Sequence, residues 1–203
     1  DYPGGVASSF KRGRFEFETA LHELDDLGTP SEPGEVRKLF QNYGLDLTWI
    51  PVKDCFRLIA PYDEEIIDVR MPIGRDKFIA AMEAAAPGSR KGMEQFFALA
   101  DETRKALDYL DHAGNAPDSK KLREEFPNFL KSASYPVDTV LSALHLPRKA
   151  IAIVEAYWCY LGMDAKRLNF QHYLSMVSDI VDHGAYIPQG TSNAISQALL
   201  EAF

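Results

Sequence analysis

Cysteine is scarce. The 203 residues hold two, Cys55 and Cys159, too few and too scattered for a disulfide framework or a cysteine-based zinc site. Reduced thiols are expected, Cys55 in a strand and Cys159 on a buried helix, which fits a cytoplasmic protein. No apolar run reaches the roughly 18 residues of a spanning helix and no signal-peptide pattern is visible. The chain therefore reads as soluble, or at most peripheral to a membrane. Net positive charge is also missing: 22 Lys and Arg against 30 Asp and Glu give a net charge of −8. Lys120-Lys121 and Arg148-Lys149 are isolated pairs, which argues against a nucleic-acid partner. His112, His145, His172 and His183 show no ligand-like spacing, so no metal is expected. A Gly-x-Ser-x-Gly elbow is absent, leaving a hydrolase without a nucleophile. So is Gly-x-Gly-x-x-Gly, so no helix start is arranged to receive a pyrophosphate.

What is present is an ordinary globular balance, with 46% hydrophobic and 26% charged residues, in a chain long enough to bury a core unaided. Arg14–Glu18 alternates in the strand period, with Phe15 and Phe17 on one face. Gly28–Gly34 reads as a loop, and Ser31 or a neighbour as the cap of a helix over Glu35–Tyr43 stopped by Gly44. Leu47–Val52, Phe56–Ala60 and Ile66–Arg70 read as strands, the last two joined by a turn at Pro61–Glu64. A helix over Asp76–Ala86 ends at Pro87-Gly88. The next runs from Lys91 to His112 with Met93, Phe96, Phe97, Ala100, Leu107 and Leu110 at helical spacing. Its Asp101, Glu102, Arg104 and Lys105 read as a solvated face.

Beyond Gly114–Asp118 the pattern is helical. Lys120–Ser134 is split by Pro127; Val137–Leu146 and Pro147–Gly162 follow, the latter apolar on several sides. Asn169–Val181, a strand at Ile187 and a helix over Asn193–Phe203 complete the chain. The expected fold class is α+β, a small antiparallel sheet with a mostly helical cap. Three segments are expected: 1–28, with a Gly-Gly turn and strand; 29–114, sheet and helix; and 115–203, helical.

Two segments carry the functional signal. The first is Gly4-Gly5-Val6-Ala7-Ser8-Ser9, followed by Arg14-Phe15-Glu16-Phe17-Glu18 and His22. Glycines and small residues let backbone approach a bulky ligand closely. The second is Gly184-Ala185-Tyr186-Ile187-Pro188-Gln189-Gly190-Thr191, leading into the last helix, where Thr191 or Ser192 is the expected cap. In this order and separation they resemble the phytoene desaturase, carotenoid isomerase and retinol saturase family of FAD-dependent oxidoreductases, within the amine oxidase-like flavoproteins. That family carries a Gly-Gly-x-Ala-x-(Ser/Thr) stretch, an aromatic strand ending in an acid, then a histidine. A later Gly-x-(Tyr/Trp)-(Tyr/Ile)-Pro-x-Gly-(Gly/Thr) segment closes its substrate domain. The match covers both ends strongly and the middle by helix pattern alone. Val6, Ala20 and Thr191 depart from it: a basic or polar residue, a glycine and a second glycine are usual there.

The resemblance implies that Gly4, Gly5, Ala7, Ser8 and Ser9 contact FAD, and that His22, Tyr186, Gly190 and Thr191 lie near the substrate. His22 has two roles open, hydrogen bonding beside flavin or substrate and structural anchoring. Tyr157, Trp158, Tyr160, Phe170 and Tyr173 read as helix core or as the lining of an apolar passage. In the family the pyrophosphate-binding turn precedes the Gly-Gly segment. The chain is accordingly expected to be the substrate-binding portion of a larger enzyme, partnered by its own FAD-binding domain and inactive alone, without retaining FAD. The parent would act on C–C bonds of an apolar polyene or lipid-like substrate, a class for which peripheral membrane contact is a natural accompaniment. The alternatives are a stand-alone helical lipid-binding or protein-interaction module, and a flavin amine oxidase relative.

Overall fold

Two compact units make up the chain, Asp1–Cys55 with His183–Phe203, and Phe56–Asp182. They are seen in a computed structural model that describes residues 3–45 and 47–202. Helix and antiparallel strand are mixed, as an α+β class requires. The strands form three separate two-stranded pairs rather than one small sheet.

The first unit opens with a hairpin, β1 (Ser9–Arg12) and β2 (Phe15–Glu18), in the register Ser9–Glu18, Phe10–Phe17, Lys11–Glu16 and Arg12–Phe15. The alternation at 14–18 marks β2, whereas its partner β1 has no such pattern of its own. Helix α1 (Glu35–Asn42) starts at Gly34 without a side-chain cap. Ser31, the expected cap, bonds Thr29 at 3.0 Å instead, while the Arg37 guanidinium ties the loop down through the carbonyls of Leu27 and Gly28. β3 (Trp49–Pro51) pairs antiparallel with β6 (Tyr186–Pro188), and Leu24 and Tyr186 exchange amide–carbonyl bonds at 2.8 Å. The last helix of the chain spans Thr191–Ala202; Phe203, expected to end it, lies outside the described residues.

In the second unit β4 (Asp54–Tyr62), whose first two residues belong to the first unit, and β5 (Glu65–Pro72) form a longer hairpin than expected. Pro61 and Tyr62 stay in the strand, and Asp63 makes the turn at φ 49°. In a two-stranded pair an edge position tolerates the missing proline N–H. Helices α2 (Arg75–Ala85), α3 (Arg90–Ala113), α4 (Ser119–Glu125), α5 (Pro127–Ser132), α6 (Val137–Ala143) and α7 (Arg148–Val154) follow. A 3₁₀ helix over Glu155–Leu161 leads to α8 (Phe170–His183), so the terminal helix is α9. Gly114–Asp118 lies inside this unit, joining α3 to α4, whose first amides are capped by Asp118.

Helix α3 buries Met93, Phe96, Phe97, Ala100, Thr103 and Ala106. Leu107, expected inside, is 45% exposed, because the stripe continues at intervals of three through 100, 103 and 106. Phe96 meets Phe97 and Phe170 edge to face at 5.4 and 6.1 Å, an arrangement ring quadrupoles favour. Two charges read as solvated have fixed partners. Asp101 pairs with Arg75, and Glu102 accepts the amides of Asn128 and Phe129 at the start of α5. Tyr157, Phe170 and Tyr173 are core, whereas Trp158 and Tyr160 are exposed. The 155–161 segment therefore buries one side, not several. Cys159 is exposed rather than on a buried helix, and Cys55 is buried; both are free thiols.

Candidate functional site

The Phe-Glu-Phe-Glu alternation gives the first hairpin two unlike faces. Cross-strand register sets Ser9, Lys11, Glu16 and Glu18 on one, and Phe10, Arg12, Phe15 and Phe17 on the other. The polar face meets the start of α9. Ser9 donates to Glu16 Oε1 at 2.5 Å and lies 2.9 Å from the Thr191 hydroxyl. Asn193 closes a two-way clasp on Ser9, accepting its amide at 3.2 Å and donating to its hydroxyl at 2.6 Å. Ser196, one turn on, donates to the Ala7 carbonyl at 3.1 Å. The two segments singled out in the sequence are thus bound to each other across more than 180 residues.

The cap of α9 comes from outside the helix. Glu18 accepts both the amide and the hydroxyl of Ser192, placing a carboxylate where the helix has unsatisfied N–H groups and a positive dipole end. Neither Thr191 nor Ser192 supplies the expected local cap. Thr191 sits at φ 66° after Gly190 at φ 93°. A β-branched residue there is an outlier. Glu16 is held below the usual carboxylate range by the Ser9 hydroxyl, with Lys11 and Thr191 adding to the effect.

Beside this junction lies an open cleft of about 510 Å³ between β1 and α9. Ser8, Ser9, Lys11, Asn193 and Gln197 give it polar groups, and Pro3, Phe10 and Leu200 an apolar border. Such a mixture suits a ligand with both a flat apolar part and a hydroxylated one. The two glycines of the first segment differ in their surroundings. Gly4, at φ 99°, backs onto α9: a Cβ there would collide with the Ser196 hydroxyl and lie 2.7 Å from the Ala7 carbonyl. Gly5 has nothing within 4 Å of where a Cβ would be, so its flank is open.

Of the expected site residues only Ser8 and Ser9 line the cleft. Tyr186 is in β6, with the Arg37 guanidinium 5.9 Å from its ring centroid. His22 is exposed, two residues before the Leu24 bridge to β6. Sequence reasoning missed Lys11, Glu16, Glu18, Asn193 and Ser196. The alternation does place both glutamates on one face, but nothing local says that α9 lies against it. Among the described residues no group of three or more His, Cys, Asp or Glu is placed to hold a metal ion.

Compared with models of known protein families and with curated proteins, the chain matches none.

Proposed function

We propose that this chain is the substrate-binding portion of an FAD-dependent oxidoreductase acting on C–C bonds of an apolar polyene or lipid-like substrate. One observation supports the reading: the segments that bear the resemblance, far apart in sequence, meet at Ser9, Thr191 and Asn193, beside a cleft lined by Ser8 and Ser9 of the first.

The residues fit the edge of a flavin. Gly5 offers an open flank, and Ser8 and Ser9 line the cleft, their hydroxyls donated to the Gly5 carbonyl and to Glu16. Gly4 is taken up by packing against Ser196 and contributes by positioning its neighbours. A pyrophosphate is not provided for: the 203 residues lack a Gly-x-Gly-x-x-Gly turn, and the carboxylate of Glu18 occupies the start of α9. Bound FAD would supply hydride chemistry at the substrate's C–C bond. The protein would supply alignment: Gly5, Ser8 and Ser9 along the flavin edge, and Gly190 and Thr191 fixing the hairpin that presents them. Tyr186 and His22 would act on substrate away from this edge.

Titration of the isotope-labelled chain with FAD tests the reading. Amide shifts should move at Gly5, Ser8, Ser9 and Asn193 and stay still in Phe56–Asp182, and the flavin should be lost on desalting. Absence of shifts at these four, or stoichiometric flavin retention, overturns it.

A further inference from the structure

The hairpin of β4 and β5 has one covered face and one bare face. Successive side chains of a strand point to opposite sides. Inward, Ile67 and Met71 are buried, and Phe56 meets Phe78 and Tyr157 edge to face. Outward, Arg57, Ile59, Pro61, Ile66, Asp68 and Arg70 are all exposed. A solvated sheet face ordinarily carries polar residues, yet Ile59 and Ile66 are 60% and 72% exposed here. Charge is graded along the same hairpin. At the end away from the turn, two guanidinium groups share one carboxylate. Arg57 bonds Asp68 at 2.8 and 2.7 Å, and the charge of Arg70 acts on the same group. At the turn Asp63, Glu64 and Glu65 are exposed. Lys149 approaches Glu65 at 3.8 Å, which leaves the turn with an excess of acid.

We infer that the outer face of this hairpin docks on the same face of a second copy of the chain, the two hairpins antiparallel about a two-fold axis. A two-fold contact must be self-complementary, and this face is. The arginine end of each hairpin meets the acidic turn of the other, while Ile59 and Ile66 of both copies meet between them. A uniformly anionic partner would face the acids of the turn, and a uniformly cationic one the surplus arginine. The partner that fits carries both signs in reverse order, as a second copy does. β5 has eight residues and is about 26 Å long at about 3.3 Å per residue. The contact is therefore small, and the dimer a weak one that depends on concentration. It lies wholly within Phe56–Asp182 and stands whether or not the chain binds flavin.

Sedimentation equilibrium of the full chain from about 5 to about 500 μM tests it. The parent should pass from mainly monomer to mainly dimer across that range, as a weak contact does. Ile59→Ser/Ile66→Ser should weaken association about tenfold or more, the loss typical of apolar residues central to a contact. Arg70→Glu and Glu64→Lys should each weaken it about fivefold, since like charges then meet in both halves of the dimer. An equimolar mixture of these two variants should associate as the parent does. In the mixture each altered end faces the other copy's altered turn, and each native end a native turn. That recovery needs both variants folded, and only the antiparallel arrangement produces it. In the labelled parent, amide shifts at Ile59, Glu64 and Ile66 should move with concentration. A parent monomeric to about 500 μM, a dimer left intact by Ile59→Ser/Ile66→Ser, or concentration shifts that miss Ile59 and Ile66 would overturn the inference. So would a mixture that associates no better than its two components.

Discussion

Glu18 caps Ser192 across 174 positions of sequence, taking its amide and its hydroxyl on the two oxygens of one carboxylate. This bond adds to those of Ser9 with Asn193 and of Ser196 with Ala7 in holding the hairpin against the last helix. Glu18→Ala should cost about 1–2 kcal/mol, the range for losing a helix cap, with Glu18→Gln in between because it still accepts a hydrogen bond. Thermal unfolding of the two variants checks the order; an Ala variant as stable as the parent would mean the cap is idle.

Thr191 combines a left-handed backbone with a branched side chain. That conformation costs an L-residue about 1–2 kcal/mol, while its hydroxyl can donate its one proton to the Gly190 carbonyl or to Ser9. Thr191→Gly removes the strain and the bonds together and should stay within about 1 kcal/mol of the parent. Thr191→Val keeps the branching and loses the bonds, and should be less stable than the Gly variant by about 1–2 kcal/mol. Denaturant midpoints of the pair decide it, and a Gly variant weaker than the Val one contradicts the account.

In the second unit Arg75 bonds two carboxylates bidentately, Asp101 on α3 and Asp182 on α8, each at 2.6–2.8 Å. Its bond to Asp101 holds that carboxyl below the usual range. At Asp182 burial pushes the pKa up, but the bonds from Arg75 and Arg104 outweigh it and the net direction is down. Carboxyls depressed in the folded state contribute stability that is present above their unfolded pKa, about 3.9, and is lost as pH falls through the folded values. Thermal stability should therefore drop below about pH 4, with a shallower drop in Asp101→Asn/Asp182→Asn. Arg75→Lys, which cannot engage both carboxylates bidentately, should lose about 1–3 kcal/mol at pH 7. An acid limb unchanged in the double variant would remove the carboxylates from the explanation.

The two thiols should differ in reactivity. Burial, aided by Glu23 and Asp54, pushes the Cys55 thiol up to about 12, so it stays protonated and unreactive at neutral pH. Cys159 is exposed. A disulfide reagent at pH 8 should titrate one thiol fast in the native chain and both after denaturation. Fast reaction of both in the native chain would show that Cys55 is not enclosed.

Much of the local structure was legible. The splitting of α4 from α5 by Pro127, the end of α2 at Pro87-Gly88 and the stop of α1 at Gly44 follow from residues that cannot continue a helix. Strand β1 was hidden because Phe10-Lys11-Arg12 has no alternation of its own and exists as a strand through its pairing with β2. Leu107 is exposed for a related reason: two spacings, three and four, both fit a helical stripe, and the packing of α3 chose the first. At the candidate site the glycines, small residues and Pro-x-Gly turn could be picked out, while Glu16, Glu18 and Asn193 could not, since their roles arise from contact with a distant segment.

By itself the sequence determined the acidic charge, the mixed helical and strand composition, the breaks between elements and the two-faced character of the first hairpin. These depend on neighbours within a few residues, where steric and hydrogen-bonding preferences act directly. Only the tertiary structure decided that the polar face would meet α9 and the phenylalanine face would stay open. It also decided that Gly4 would be filled by Ser196 while Gly5 stayed clear. Such pairings close loops of more than 170 residues, and which of many competing closures forms depends on the summed packing of the whole unit rather than on any local pattern.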